Sequence, residues 1–202
     1  MKLFPASIFF AAALAIAFTA RADDDRAKAI AIMKHDFHAR GIARMDRLDE
    51  DGVQALCNRS ANNPPKVTGE RLQQDQFAAI RYPTDGKYLG DWKSGEKIAQ
   101  TGSGMTWSDK AGQANGGSCY NCHEIGPNET SFGTIGNSLR QFGKTRGNTA
   151  EMQKYVYGKI YNAKAFNLCS KMPRFGHSGT LTEAQIKDLV ALLLDPNSPV
   201  NK

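Results

Sequence analysis

The sequence lacks several features by which particular protein classes are recognised. Only one long apolar run occurs among its 202 residues, at the N-terminus, which excludes a protein with several membrane spans. Four cysteines are too few for a small scaffold held together by disulfides. With 19 glycines and 8 prolines, the chain is far from collagen-like or low-complexity composition. Strand-type alternation and internal repeats are also missing, so we expect an all-α protein with long loops.

The first 22 residues have the three parts of an export signal. A positive start at Lys2 is followed by an apolar run over residues 8–18 and by the small residues Ala20 and Ala22. The run of about a dozen residues is shorter than the ~20 that a membrane span needs. We therefore expect a signal peptide at residues 1–22, cleaved after Ala22, and a periplasmic protein; an uncleaved N-terminal anchor is the alternative. Because no cysteine follows the cleavage site, we expect no lipid and no membrane anchor after cleavage.

Helical periodicity and turn residues predict several helices. The strongest pattern is at the C-terminus, where Thr182 and Gln185 form a capping box and Pro196 ends the helix. The Asn-Asn-Pro-Pro stretch within residues 58–65 and the glycine-rich residues 101–118 are expected to be loops. Helices are expected, in chain order, over residues 23–47 with a break at Gly41, 75–82, 91–100 and 182–195.

Basic residues are concentrated in one part of the chain. Residues 140–174 contain eight lysines and arginines but only one acidic residue, Glu151, whereas charges balance over residues 23–90. Such a stretch is either a solvated helix face or a surface that attracts an anion or an acidic partner. No nucleic-acid-binding motif accompanies it, and export argues against DNA or RNA, so we expect no nucleic acid partner.

Residues Cys119 to Cys122, followed by His123, form a C-x-x-C-H motif. Two thiols three positions apart on a helical turn reach two vinyl groups on one porphyrin edge, and the next histidine ligates the iron. We therefore expect one covalently bound haem c. A thioredoxin-like redox pair would need a βαβ context, and a zinc site would need a second pair of ligands; neither is visible.

The sixth iron ligand is predicted to be Met172, 49 residues beyond His123 in a loop before the C-terminal helix. A thioether sulfur raises the iron's potential and suits electron transfer. The other candidates are Met152, Met105 and His177, and the histidine would give a lower-potential haem with two histidine ligands.

The two remaining cysteines, Cys57 and Cys169, are predicted to form a disulfide, because leftover cysteines in an oxidising compartment usually pair. Two free thiols are one alternative. An intermolecular or sulfur-carrying role for Cys169 is another.

Several short motifs occur in the order found in class I cytochromes c, and the sequence around Met172 is most similar to that of the SoxX family. SoxX is the monohaem subunit of the SoxAX cytochrome of bacterial thiosulfate oxidation. The resemblance covers about residues 91–195. Its motifs are Gly95-Glu-Lys-Ile98, Cys119 to His123, Gly133-Thr-Ile-Gly136, Ala165-Phe-Asn167, Lys171-Met-Pro-Arg-Phe-Gly176 and Leu181-Thr-Glu-Ala-Gln-Ile186.

The resemblance implies a class I cytochrome c fold around one covalently bound haem at residues 91–202, with a helical N-terminal extension at residues 23–90. It implies that the helices near residues 91–100 and 182–195 cross. Cys119 and Cys122 would be thioether anchors, His123 and Met172 axial ligands of the iron, and no residue of this chain catalytic.

The sequence departs from its relatives after the haem motif. Relatives often carry Gly-Pro there, and the proline carbonyl orients the proximal imidazole; here Gly136 is followed by Asn137. The backbone carbonyl of Asn137 can still provide this hydrogen bond.

The resemblance also implies partners. A SoxA-like cytochrome c subunit would host the sulfur chemistry, joining thiosulfate to a cysteine of a SoxYZ-like carrier protein. This chain would then be one subunit of a heteromeric L-cysteine S-thiosulfotransferase, passing the electrons to a soluble cytochrome. Alternatives are a free-standing electron-shuttle cytochrome and the cytochrome subunit of another periplasmic dehydrogenase. The extension would add contact area for the larger subunit or wrap the domain.

Overall fold

The computed structural model describes residues 25–202, and in that range it contains helices, 3-10 turns and loops but no strand. The prediction of an all-α protein is confirmed for this range. The predicted signal peptide, residues 1–22, lies outside the described residues. The described residues divide into two compact units, residues 25–49 and residues 50–202. Within residues 25–202, no helix combines the length and apolarity needed to cross a membrane.

In the first unit, residues 25–36 form helix α1. The predicted helix over residues 23–47 is therefore shorter than expected and ends before Gly41. Gly41 adopts a positive φ of 54°, and the backbones of Arg40 and Ala43 pair across it. This left-handed conformation, which glycine adopts without steric cost, turns the chain into the 3-10 turn Met45–Leu48.

The second unit contains six helices among its residues, all of which are described. They are α2 Gly52–Arg59, α3 Lys66–Ala78, α4 Trp92–Gln100, α5 Phe142–Arg146, α6 Ala150–Tyr161 and α7 Glu183–Leu194. Three 3-10 turns, Cys119–Asn121, Ala163–Ala165 and Pro199–Asn201, complete it.

The predicted helices over residues 91–100 and 182–195 are confirmed as α4 and α7. The Asp91 carboxylate accepts hydrogen bonds from the backbone N–H groups of Lys93 and Ser94 and so caps α4. At α7, Thr182 and Gln185 form the expected reciprocal capping box. Both helices thus begin where the sequence places a side chain that satisfies free backbone donors.

The predicted helix over residues 75–82 is wrong at both ends, because α3 runs from Lys66 to Ala78. It follows Pro65, and proline is tolerated at a helix start because the missing N–H has no partner there. The apolar residues of α3 do not form one buried stripe: Val67 is 80% exposed and Phe77 49% exposed. The hydrophobic periodicity of these residues is therefore too weak to locate α3 from the sequence.

Helices α4 and α7 cross at close range. A Cβ at Gly95 would lie 2.2 Å from the backbone oxygen of Asp188, so only glycine allows this approach. Just before α4, the Gly90 N–H donates to the carbonyl of Lys187 at 3.0 Å, and the Asp91 N–H donates to the Asp188 carboxylate at 2.8 Å. The crossing that the resemblance implies is present, and it fixes one side of the core.

Residues 50–90 belong to the same compact unit as the C-x-x-C-H motif. A disulfide joins Cys57 in α2 to Cys169, in the loop before α7. The amide of Asn162, which is fully buried, donates to the backbone oxygen of Gln76 at 3.0 Å. This part of the predicted extension therefore packs against the rest of the unit.

Candidate functional site

A mainly apolar cavity of about 550 Å³ lies in the second unit, with walls from α5, α6 and α7 and from residues 137–140. Its size and lining are typical of sites that bind small molecules or cofactors. Apolar side chains make up much of the wall, among them Ile125, Leu139, Phe142, Val156, Ile160, Phe175, Leu189, Leu192 and Leu193. Three predicted site residues, Cys119, His123 and Met172, also line this cavity.

The C-x-x-C-H motif forms a short turn beside the cavity. Residues Cys119–Asn121 make a 3-10 turn, and the His123 N–H donates to the Cys119 carbonyl at 3.0 Å. Cys119 and Cys122 are free thiols, half-buried, and not joined to each other. Burial raises the pKa of Cys119 to about 12, with a further contribution from the neighbouring Cys122 and Glu96. A reactive redox pair needs a lowered thiol pKa, so this environment does not favour thioredoxin-like chemistry.

The imidazole of His123 is held by its surroundings. Its Nδ1 lies 2.7 Å from the carbonyl oxygen of Asn137. Nδ1 donates to that carbonyl in the corresponding tautomer, which leaves Nε2 as the nitrogen available to a metal. A Cβ at Gly136 would lie 2.2 Å from Cε1 and 2.4 Å from Nδ1 of His123, so the ring rests against the glycine backbone. The hydrogen bond expected from Asn137, in place of a proline carbonyl, is present.

The four candidates for the sixth ligand differ in whether they line the cavity that contains His123. Met172 and Met152 both line the cavity that contains His123. Met105 is 38% exposed and His177 is also exposed, and neither side chain contributes to the cavity wall. Two methionines therefore share the cavity with the histidine.

The loop that carries Met172 is anchored on its N-terminal side. Cys169 is tied to α2 by the disulfide, and the Met172 N–H donates to the Ser170 hydroxyl at 3.2 Å. The ammonium group of Lys164 donates to the carbonyls of Leu168 and Ser170 at 3.2 and 3.4 Å. Sequence reasoning missed this role of Lys164, because nothing in a run of basic residues distinguishes the one that the fold buries.

The basic stretch over residues 140–174 is not a uniform solvated face. Lys164 is only 6% exposed. Arg140 pairs with Glu124 at 3.2 Å, and Arg174 forms a close ion pair with Asp51. These three basic side chains of the stretch are therefore buried or paired within the second unit.

No cluster of three or more histidine, cysteine, aspartate and glutamate side chains that could hold a metal ion occurs within residues 25–202. In this range the C-x-x-C-H motif thus has no second set of ligands of the kind that a structural zinc site needs.

No family model matches the chain. A protein of Aquifex aeolicus (strain VF5), described as an uncharacterized lipoprotein, is 39% identical over 156 residues, covering 74% of each chain. This chain belongs to the same family as the Aquifex lipoprotein. Among solved structures, a chain of the crystal structure of SoxXA from P. pantotrophus is similar at 26% identity and a TM-score of 0.38, covering 53% of this chain and 82% of that one.

The family relationship overturns one prediction. A periplasmic protein with no membrane anchor after cleavage at Ala22 was expected, but the relative is a lipoprotein. The prediction relied on the lack of a cysteine after Ala22, but a positive start, an apolar run and small residues direct export without deciding whether the exported chain stays anchored to a membrane.

Proposed function

We propose that this protein is a c-type cytochrome that binds one haem in the apolar cavity. Cys119 and Cys122 would attach the haem through thioethers, and His123 and Met172 would ligate its iron. The observation that carries the proposal is that Cys119 and His123 of the C-x-x-C-H motif line the cavity, with His123 already held through Nδ1. When bound, the haem supplies one-electron transfer.

The residues around His123 prepare it for this role. The Asn137 carbonyl fixes the tautomer and the direction of the ring, and such partners increase the basicity of a ligating histidine. Gly136, which has no Cβ, leaves room for the ring close to its backbone. The histidine is therefore oriented by the protein fold itself.

The cavity walls set the electrical environment of the site. Leucine, isoleucine, valine and phenylalanine side chains would shield a bound group from water on much of its surface, and such an apolar shell raises the potential of an iron centre. The thioether of Met172 acts in the same direction, because methionine ligation favours the reduced iron. We assign the sixth position to Met172 rather than Met152, because Met172 lies in a loop fixed by the disulfide and by Ser170.

At a finer level, we propose a SoxX-type subunit of a thiosulfate-oxidising SoxAX cytochrome. Support comes from the motifs at Met172 to Gly176 and at Leu181 to Ile186, which are similar to those of SoxX. In this role the protein would accept electrons from a SoxA-like subunit, which joins thiosulfate to a cysteine of a SoxYZ-like carrier, and would pass them to a soluble cytochrome. No residue of this chain acts on sulfur.

The relative's description also supports a proposal for this chain: the exported protein is anchored to a membrane. Fractionation of cells tests this directly. The haem-staining protein should sediment with membranes and be released by detergent but not by high salt.

The haem proposal is tested by expressing the full chain in a host with haem-attachment machinery. A pyridine haemochrome spectrum should show one haem per chain bound through two thioethers. Cys119→Ser and Cys122→Ser should each change the spectrum to that of a single thioether, whereas Cys57→Ser, a matched cysteine control, should keep both. A wild-type chain without covalent haem would contradict the proposal.

The SoxX-type role needs a separate experiment. Material co-purified with the tagged protein from its native source should contain a second c-type cytochrome. The haem should become reduced only when thiosulfate and a cysteine-bearing carrier are both added. A monohaem protein that elutes alone and does not respond to thiosulfate would instead be an electron shuttle.

A further inference from the structure

A second cavity, of about 350 Å³, lies next to the first and is lined largely by polar side chains. It lies between α2 and the loop before α7, and Met172 contributes to the walls of both cavities. Three cationic residues line it: Lys164, Lys171 and Arg174. The proposed haem function uses none of these three side chains.

Lys164 is the most unusual of the three, because its residue is only 6% exposed. Lysine is rarely buried without a partner of opposite charge, since removing an ammonium group from water costs free energy. Two of its three N–H bonds go to the carbonyls of Leu168 and Ser170, and no described carboxylate oxygen lies within 4 Å of Nζ. The ammonium group of Lys164 thus contacts two carbonyl dipoles, but no counter-ion.

The positive charges of Lys171 and Arg174 act on the ammonium group of Lys164. Burial lowers the pKa of Lys164, Arg174 and Lys171 lower it further, and only Asp51 raises it. All three side chains line one cavity of about 350 Å³, so their positive charges lie close enough to repel one another. Such repulsion is relieved when an anion lies among them.

Acidic groups offset part of this charge. The Asp51 carboxylate pairs with Arg174, and Glu50, which lines the cavity, accepts a hydrogen bond from Asn58. The Lys171 ammonium donates to the amide oxygen of Asn58 at 3.4 Å. Three cations against two carboxylates leave a net positive cavity in which the carboxylates already have partners.

We infer that this cavity binds a small inorganic oxyanion, such as sulfate, between Lys164, Lys171 and Arg174. The two lysines offer ammonium donors, and the planar guanidinium of Arg174 retains N–H groups beyond those used by Asp51 and Gln76. A small oxyanion matches the several donors of the cavity and the positive sign of its net charge. The site adjoins the first cavity at Met172, and oxyanion binding there does not depend on electron transfer.

The test is a calorimetric titration of the full chain, as purified, with sodium sulfate in a low-salt buffer near neutral pH. The reference titration uses sodium chloride of equal ionic strength. Lys171 is exposed and can be changed without disturbing the core, so Lys171→Gln is the informative variant. Lys110→Gln, an exposed lysine that lines neither cavity, is the matched control.

Sulfate should bind saturably to one site per chain, and chloride should not. Losing one charged donor should weaken sulfate binding about tenfold in Lys171→Gln and leave it unchanged in Lys110→Gln. The inference is overturned by the absence of saturable sulfate binding, by an unchanged affinity in Lys171→Gln, or by an equal loss in Lys110→Gln. Because heat of binding is measured, a chain that lacked haem would leave this result intact.

Discussion

Replacing Gly136 with alanine tests how the fold holds the histidine of the C-x-x-C-H motif. The added methyl group would lie 2.2 Å from Cε1, 2.4 Å from Nδ1 and 2.7 Å from Nε2 of His123, where ordinary contact begins at 3.4 Å. To restore contact, the ring must retreat by about 1 Å, since dispersion turns to repulsion inside ~3.5 Å. The clash is with the end of a side chain, so the ring moves rather than the backbone.

This movement breaks a specific hydrogen bond. The Nδ1 to Asn137 oxygen distance is 2.7 Å, and a retreat of about 1 Å takes it beyond hydrogen-bonding range. Loss of such a supporting bond typically weakens metal binding by about 10- to 100-fold. We therefore expect Gly136→Ala to loosen the His123–iron bond, with an altered ligation spectrum, while the free energy of unfolding in urea changes by no more than about 1 kcal/mol.

The assay is visible absorption and redox titration of the haem-loaded protein, alongside a urea melt. Gly52→Ala is the control, because nothing lies within 4 Å of a Cβ at Gly52. An unchanged spectrum and potential in Gly136→Ala would refute the argument that this glycine positions the imidazole. Global unfolding of the variant would refute the argument that the ring, rather than the backbone, yields.

Three further changes give distinct results. Met172→Ala should lower the haem potential, on the order of 0.1 V of the ~0.8 V range that axial ligands span, whereas Met152→Ala in the same cavity should not; redox titrations that show the reverse pattern would reassign the sixth ligand. Gly95→Ala should destabilise the unit by about 1–3 kcal/mol, because its methyl group meets a backbone carbonyl of α7 at 2.2 Å; a wild-type urea midpoint would contradict the close crossing. Removing the disulfide with Cys57→Ser and Cys169→Ser together should cost about 2–5 kcal/mol, since it closes a loop of 112 residues; guanidinium melts of the reduced wild type should then match the variant.

Some features of the fold could be predicted because they depend on local rules. The ends of α4 and α7 follow from side chains that satisfy backbone donors within three residues, Asp91 at one helix and Thr182 with Gln185 at the other. In contrast, α3 was misplaced by nine residues at its start. Its apolar residues remain partly exposed, so hydrophobic periodicity carries no information about its limits.

The order of amino acids alone led to the chemistry proposed for the candidate site, because the spacing of Cys119, Cys122 and His123 is a local property of the chain. The distant groups that meet this motif could be identified only from the folded chain. It brought Met172 and Met152 into the histidine's cavity, left His177 outside, and buried Lys164 beside a second cavity. The physical reason is that burial and proximity depend on how helices pack across many residues of sequence, and composition does not record this packing.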